Sequence, residues 1–492
     1  MKKHLLVLFS ILGLGNAFCQ TPAYTQTNVM TGLNYPVAFD IAPDGRFFIT
    51  QKGGNSAGSC ANGFIKVYDA NGVFLTNFYD LTDSVQCDFE RGLLGICLDP
   101  DFTNNHYVYA YYNHLYAGDE RIRVVRFTEN ANLGTNPFLV FDLDVSNSIP
   151  GNHVGGNIRM HPSEPDKIYI TIGDLAYQQG NTTNNYAQKL TLPYGKILRV
   201  NTDGTVPTTN PFYDDGDPFT GNCDWIWSYG HRNAFDMSFS PVNDSLYSSE
   251  NGWQTWDEVN QISRGNNYGW NTCEGNFLNG STTTPCSIAS SILPIEDWGT
   301  TLPAVTGILH YSGTAFSSLD NHLLVADNSF GRIYDITVGN PPAWNTFVSR
   351  STWADFTTGG LTTIKEGTDE CIYAMKGGYT TNGIIYRICP LGMNIEENIS
   401  EIGNIGVFPN PAADNFSVVF SVKEDAKIKA EFFDVTGRMI GTTPASEFKK
   451  GKVYFNVNKN NLAVAKGIVF GRISVENADG KITTGRIKVV LE

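Results

Sequence analysis

The feature that most constrains this chain is a strand unit that recurs six times between residues 40 and 390. Each unit opens on a turn containing Asp, Asn or Pro and runs into a short apolar strand. The six strands read Phe47-Phe48-Ile49-Thr50, Val108-Tyr109-Ala110-Tyr111, Ile168-Tyr169-Ile170-Thr171, Leu246-Tyr247-Ser248-Ser249, Leu323-Leu324-Val325-Ala326 and Ile372-Tyr373-Ala374-Met375. Most are answered by a second strand after a gap, as at Gly63–Val67, Gly195–Arg199, Gly331–Tyr334 and Gly383–Arg387. Runs this short, rich in aromatic and β-branched residues and bounded by turn formers, read as strands. Repetition at an irregular spacing of roughly 50 to 80 residues suits propeller blades with insertions, because radial repetition leaves only short protected edges. A pair of β-sandwiches would not repeat one strand-turn unit in this way. The expected architecture is all-β, a six-bladed β-propeller. If the repeated strands line its channel, the polar residues that follow four of them, Gln51, Glu250, Asp327 and Lys376, converge at one mouth.

Charge divides the chain. Residues 403–492 carry a net charge of +4, and the first 402 carry −19, within a total of −15. All eight Trp and all nine Cys also precede residue 403. The boundary therefore falls in the polar segment 391–402, read as a linker between a body at 21–390 and a tail at 403–492. The acidic body argues against a nucleic-acid partner. Residues 1–19 fit a secretory signal, with Lys2 and Lys3, an apolar run from Leu5 to Leu14, and Ala17-Phe18-Cys19 before Gln20. That run is too short to span a bilayer, and no transmembrane segment is expected. Cleavage after Cys19 would leave eight cysteines, an even number suited to disulfides in an oxidising compartment.

From Trp227 to Trp270 charges and amides are threaded among Trp, Tyr and Leu: Gly230-His231-Arg232-Asn233, Glu250-Asn251-Gly252, Asp257-Glu258-Val259-Asn260 and Gly265 to Trp270. Unpaired polar groups in such surroundings cost about 2 kcal/mol or more each, so their collection points to a ligand or metal site. A separate acidic loop, Asp214-Asp215-Gly216-Asp217, could hold calcium by itself, with a solvated turn as the favoured reading.

An ordered set of motifs runs through the body. It comprises Glu90-Arg91-Gly92-Leu93-Leu94-Gly95-Ile96 with Asp99-Pro100-Asp101-Phe102, then Asn152-His153-Val154-Gly155-Gly156, Gly173-Asp174, and Gly195 to Val200. Asn210-Pro211-Phe212, Gly230-His231-Arg232-Asn233 and Asn267-Tyr268-Gly269-Trp270 complete it. Over residues 30–390 this set resembles the glucose/sorbosone dehydrogenase family. The resemblance implies a six-bladed propeller that uses pyrroloquinoline quinone (PQQ) and calcium to oxidise the anomeric hydroxyl of sugars. By the same resemblance His153 is the general base, a role suited to a side chain that titrates near neutrality. Glu90, Asn152, Arg232 and Asn233 fall at cofactor-facing positions, and Gly252-Trp253 stands where the family's Gly-Pro pair offers carbonyls to calcium. The family's Arg pair is replaced by Thr357-Thr358-Gly359-Gly360-Leu361-Thr362, which leaves Arg232, Lys376 and Arg332 as cations for an anionic cofactor. Hedgehog-interacting proteins share this propeller, so a non-catalytic module that binds glycan or protein is the alternative.

In the tail, Gly406-Val407-Phe408-Pro409-Asn410-Pro411-Ala412, Phe432 to Arg438 and Gly485 to Val490 resemble the C-terminal sorting domain of type IX (Por) secretion. That resemblance implies a small C-terminal β-sandwich, passage through the type IX machinery, and a secreted or cell-surface protein.

Overall fold

A computed structural model describes residues 24–55, 60–145, 151–176, 185–253, 255–288, 290–299, 301–313, 315–390, 406–408, 410–434, 438–464, 466–477, 480 and 482–491. The signal segment 1–19 and the linker 391–402 lie outside the described residues. The chain divides into two compact units between residues 391 and 392.

The first unit is a six-bladed β-propeller, with six four-stranded antiparallel sheets among the described residues. The strands nearest the axis are Pro36–Ile41, Leu93–Leu98, Ile158–Met160, Ala234–Phe239, Val305–His310 and Leu361–Glu366. They touch one another in sequence order around the ring, and the last meets the first. The apolar repeats are the second strand of each blade: Phe47–Gln51, Tyr107–Tyr116, Lys167–Ile172, Leu246–Glu250, His322–Asp327 and Ile372–Lys376. This corrects the reading that placed them on the axis. Second strands are covered on both sides by neighbouring blades, so Phe47–Gln51 and Leu246–Glu250 are buried at every position, including the polar Thr50, Gln51, Ser248, Ser249 and Glu250 at their ends. Axial strands escape a period-of-two reading because five of the six carry a register shift near their start, as between Pro36 and Phe39 or Val305 and Ile308.

The ring closes through its ends. Tyr24–Leu33 pairs antiparallel with Gly383–Pro390 and so becomes the outer strand of the last blade. The Cys371–Cys389 disulfide ties the residue before Ile372–Lys376 to the strand Gly383–Pro390 of that blade. Cys60–Cys87 and Cys273–Cys286 are also bonded. Cys97 and Cys223, expected among the disulfides, are instead free buried thiols packed in one apolar cluster. Burial raises Cys223 to about 12, so it behaves as a small apolar side chain.

The second unit is a β-sandwich with one sheet of Gly406–Phe408, Asn415–Val422 and Gly451–Asn458. Its other sheet joins Ala426–Phe433, Met439–Thr442, Ser446–Phe448, Gly467–Asn477 and Ile482–Leu491. Here burial alternates strictly, as in Gly451–Asn458, where Val453, Phe455 and Val457 point inward and Lys452, Tyr454 and Asn456 outward. That is the pattern of sheets with one wet face.

Candidate active site

At the end of the axial channel where the second strands finish, His153 sits in the loop before the third blade and is only 5% exposed. Its backbone is in the left-handed region, φ +54°, which is uncommon for a residue with a Cβ. Glu90 holds it there by accepting the His153 N–H at 2.6 Å. The ring is fixed from both sides: Nδ1 lies 2.6 Å from Asp174 Oδ1, and Nε2 lies 2.8 Å from an Arg232 guanidinium nitrogen. A carboxylate can only accept and a guanidinium can only donate. The partners therefore place the ring proton on Nδ1 and the lone pair on Nε2.

Asp174 is fully buried and is itself oriented. Its Oδ2 accepts from the Trp270 indole N–H at 2.8 Å, and Oδ1 also accepts from Ala176 N–H at 2.8 Å. Arg232 donates to Asn251 O at 2.9 Å, and its guanidinium carbon lies 5.6 Å from the Trp270 ring centre. Burial lowers the Arg232 pKa, against the pull of Asp174 and Glu274 first among its neighbours. His231 behaves as a structural residue: Nδ1 pairs with Glu250 at 2.9 Å, Nε2 with Ser228 Oγ at 2.9 Å, and the ring stacks on Tyr268.

Beside this group lies a cavity of about 190 Å³ whose wall includes Lys52, Glu90, Asn157, Asn233, Asn251 and Thr362. Three of the named second strands deliver their residues here one position past the polar group singled out by sequence: Lys52 after Gln51, Asn251 after Glu250, and Asn328 after Asp327. Asn157 Oδ1 and Thr362 Oγ1 on the wall, and Arg232 Nε beside it, have no hydrogen-bond partner among the described residues. Unsatisfied polar atoms of residues in and next to a cavity wall are what a polar ligand could complete.

The Gly252-Trp253 turn adjoins four buried carboxylates, Glu250, Asp257, Glu258 and Glu274. Asp257 accepts the Gly252 N–H at 2.9 Å, and Glu274 accepts the Trp253 N–H. Neither carbonyl of the pair accepts a hydrogen bond from a described residue. A Cβ at Gly252 would lie 2.0 Å from Trp256 O, so only glycine fits. Burial raises Asp257 to about 6. Glu258 is raised well above the carboxylate range by burial and then by Glu250 and Glu274. Open carbonyls beside surplus buried carboxylates are a donor set suited to a hard cation.

The sequence profile described as glucose/sorbosone dehydrogenase matches residues 33–387. The chain belongs to the glucose/sorbosone dehydrogenase family. Residues 406–487 match the secretion system C-terminal sorting domain. Quinoprotein glucose dehydrogenase B of Acinetobacter calcoaceticus is 29% identical over 313 residues, which cover 56% of this chain and 62% of that protein. Aldose sugar dehydrogenase YliI of Escherichia coli K12 is 25% identical over 336 residues, covering 66% of this chain and 84% of the relative. Among solved structures, the PQQ-bound aldose sugar dehydrogenase of Streptomyces coelicolor aligns with a TM-score of 0.56 at 25% identity, covering 75% of this chain and 100% of that one.

Within this glucose/sorbosone dehydrogenase propeller, His153, Glu90, Arg232 and Asn233 come together, with Asn233 Oδ1 accepting from Gly155 N–H at 3.2 Å. Asn152 faces a separate small crevice beside Arg91 and Glu120. Arg332 pairs with Asp355 at 3.1 Å on an exposed strand, and Lys376 donates to Thr358 Oγ1 at 2.7 Å; neither lines the cavity. Arg91 is bound to Asp88 and Glu120. Sequence reasoning missed Lys52 as a wall residue, and Asp174 and Trp270 as a pair. The Gly173-Asp174 and Tyr268-Gly269-Trp270 motifs named both members of that pair without showing that they meet across 96 residues. The loop Asp214 to Asp217 turns its carboxylates onto its own backbone: Asp214 accepts from Asn222 N–H and Asp215 from Asp217 N–H.

Proposed function

We propose that this chain is a PQQ- and calcium-dependent oxidoreductase that oxidises the anomeric hydroxyl of aldose sugars, with His153 as general base. The observation that carries the reading is the oriented His153, whose Nδ1 is committed to buried Asp174 while Nε2 keeps an acceptor lone pair beside a polar cavity. Its relatives named as glucose and aldose sugar dehydrogenases support the sugar assignment.

Bound PQQ would accept the hydride equivalent that leaves the anomeric carbon. The chain's own part is proton handling and placement. His153 Nε2 exchanges its Arg232 donor for the sugar hydroxyl and takes that proton, and the Asp174 carboxylate stabilises the imidazolium that results. Arg232 and Asn233 present a guanidinium and an amide to the cofactor's oxygens. The carbonyls of Gly252 and Trp253 would hold calcium, with Asp257 and Glu274 fixing the turn through its amides. For the tail we propose type IX export following signal-peptide cleavage, which would place the protein at the cell surface or outside the cell.

Reconstitution with PQQ and calcium, followed by dye reduction across a panel of aldoses, tests the reading. Sugar-dependent reduction that needs both additions is expected. A folded protein with no reduction of dye by any aldose would overturn it in favour of a non-catalytic binding propeller.

A further inference from the structure

An anionic cofactor needs cationic partners, and Arg332 and Lys376 stand away from the cavity wall. Lys52 is on it, at 2% exposure, immediately after the strand Phe47–Gln51. Its ammonium donates to Cys87 O at 2.6 Å and Gly54 O at 3.1 Å, and lies 5.1 Å from the centre of the Tyr379 ring. An ammonium has three donors, so two carbonyls leave one to spend. No carboxylate claims it: Lys52 forms no salt bridge among the described residues. Nearby Asp88 is taken up by Arg91 at 2.8 and 2.9 Å, and Glu90 accepts from His153 N–H.

The position is built. Cys87 is bonded to Cys60, so the carbonyl that receives the shorter Lys52 bond belongs to a cross-linked residue. Gly92 lets the stem lie down, since a Cβ there would come within 2.4 Å of Lys52 Cγ. Burial lowers Lys52 to about 8, while Asp88 and Glu90 favour its charged form and Arg91 opposes it. A buried cation without an ion-pair partner, open to a cavity, is satisfied by an anion placed there.

We propose that Lys52 receives a carboxylate of the planar anionic ligand of the central cavity and is held in position by the Cys60–Cys87 link. The proposal deepens the reading of that cavity as a quinone-cofactor site and assigns its ligand charge to a residue on the first blade.

Calorimetric titration of the full chain with calcium present tests it, using PQQ and benzene-1,3,5-tricarboxylate as separate probes on wild type, Lys52→Gln and Lys52→Arg. Gln keeps an N–H for the carbonyls, and Arg keeps the charge. The expected result is PQQ binding weakened about tenfold or more in Lys52→Gln, the scale of a lost charge-assisted hydrogen bond, and largely restored in Lys52→Arg. Equal PQQ affinity in wild type and Lys52→Gln overturns the Lys52 assignment and leaves the cofactor reading standing. If wild type binds the tricarboxylate in a Lys52-dependent way but ignores PQQ, the cofactor reading falls and the Lys52 site remains. Binding of neither probe ends both. Should Lys52→Gln fail to fold, carbamylation of wild type by cyanate, read by peptide mass, decides the matter. Lys52 is expected to react in the free protein and to be shielded by PQQ. Equal reaction with and without PQQ, or none in the free protein, overturns the assignment.

Discussion

Replacing Asp174 by Asn removes one charge and almost no volume, yet the site has no place for the amide. Oδ2 must accept from Trp270 Nε1–H, and Oδ1 must accept from Ala176 N–H and from His153 Nδ1. If the Asn oxygen takes the Oδ1 position, its NH2 faces the indole N–H and two donors collide. If the oxygen takes the Oδ2 position, the NH2 faces Ala176 N–H and pushes the His153 proton to Nε2, against the Arg232 donor. Either way at least one buried donor is orphaned, at about 1 to 3 kcal/mol. The carboxylate that offsets the buried Arg232 charge is lost as well. Together these put the expected destabilisation near 2 to 4 kcal/mol. In the second arrangement the lone pair at Nε2 is lost, and in the first the negative charge that would stabilise the imidazolium is gone, so turnover of the reconstituted protein should fall by about two to four orders of magnitude, the usual worth of a general base. Urea unfolding midpoints and steady-state dye reduction measure the two effects. An Asp174→Asn protein with wild-type stability and near-normal turnover would refute the hydrogen-bond account of how His153 is held.

Gly252→Ala should cost about 1 to 3 kcal/mol and weaken calcium-dependent stabilisation, since the new Cβ would sit 2.0 Å from Trp256 O; calorimetric melting with and without calcium checks this. His310 is fully buried, neither ring nitrogen has a hydrogen-bond partner among the described residues, and burial lowers its pKa from 6.5 to about 4. The unfolded chain therefore takes up this proton first as pH falls. The stability owed to neutral His310 is complete above about 6.5 and lost on descent toward 4, to a total of roughly 3 kcal/mol. Urea midpoints between pH 7 and 4 should fall less steeply in His310→Phe than in wild type, and parallel slopes would count against the idea. A chain ending at residue 391 should fold and keep its activity but remain in the periplasm, as fractionation would show; an insoluble product would mean the boundary lies elsewhere.

The blades were legible because strands such as Phe47–Gln51 open on apolar runs, as burial between neighbouring blades favours. Their place in each sheet was not, because the axial strands begin with register shifts that break alternation, as at Leu93 to Ile96. Site residues followed the same division. His153, Arg232 and Asn233 stood in motifs, whereas the His153–Asp174–Trp270 line joins three blades' worth of loops and exists only in the closed ring. Lys52 was one residue beyond Gln51, and nothing local separates a wall lysine from a solvated strand end. Arg332 illustrates the converse: it begins the third strand of its blade, well away from the axis, and its charge is met by Asp355.

The most direct test is a single-turnover experiment: anaerobic addition of an aldose to the PQQ- and calcium-loaded protein, followed by absorbance, in wild type and His153→Ala. The account predicts that both proteins bind the cofactor, that wild type loses the absorption of the oxidised quinone when sugar is added, and that His153→Ala does so about two to four orders of magnitude more slowly. Reduction at the same rate in both proteins would contradict it.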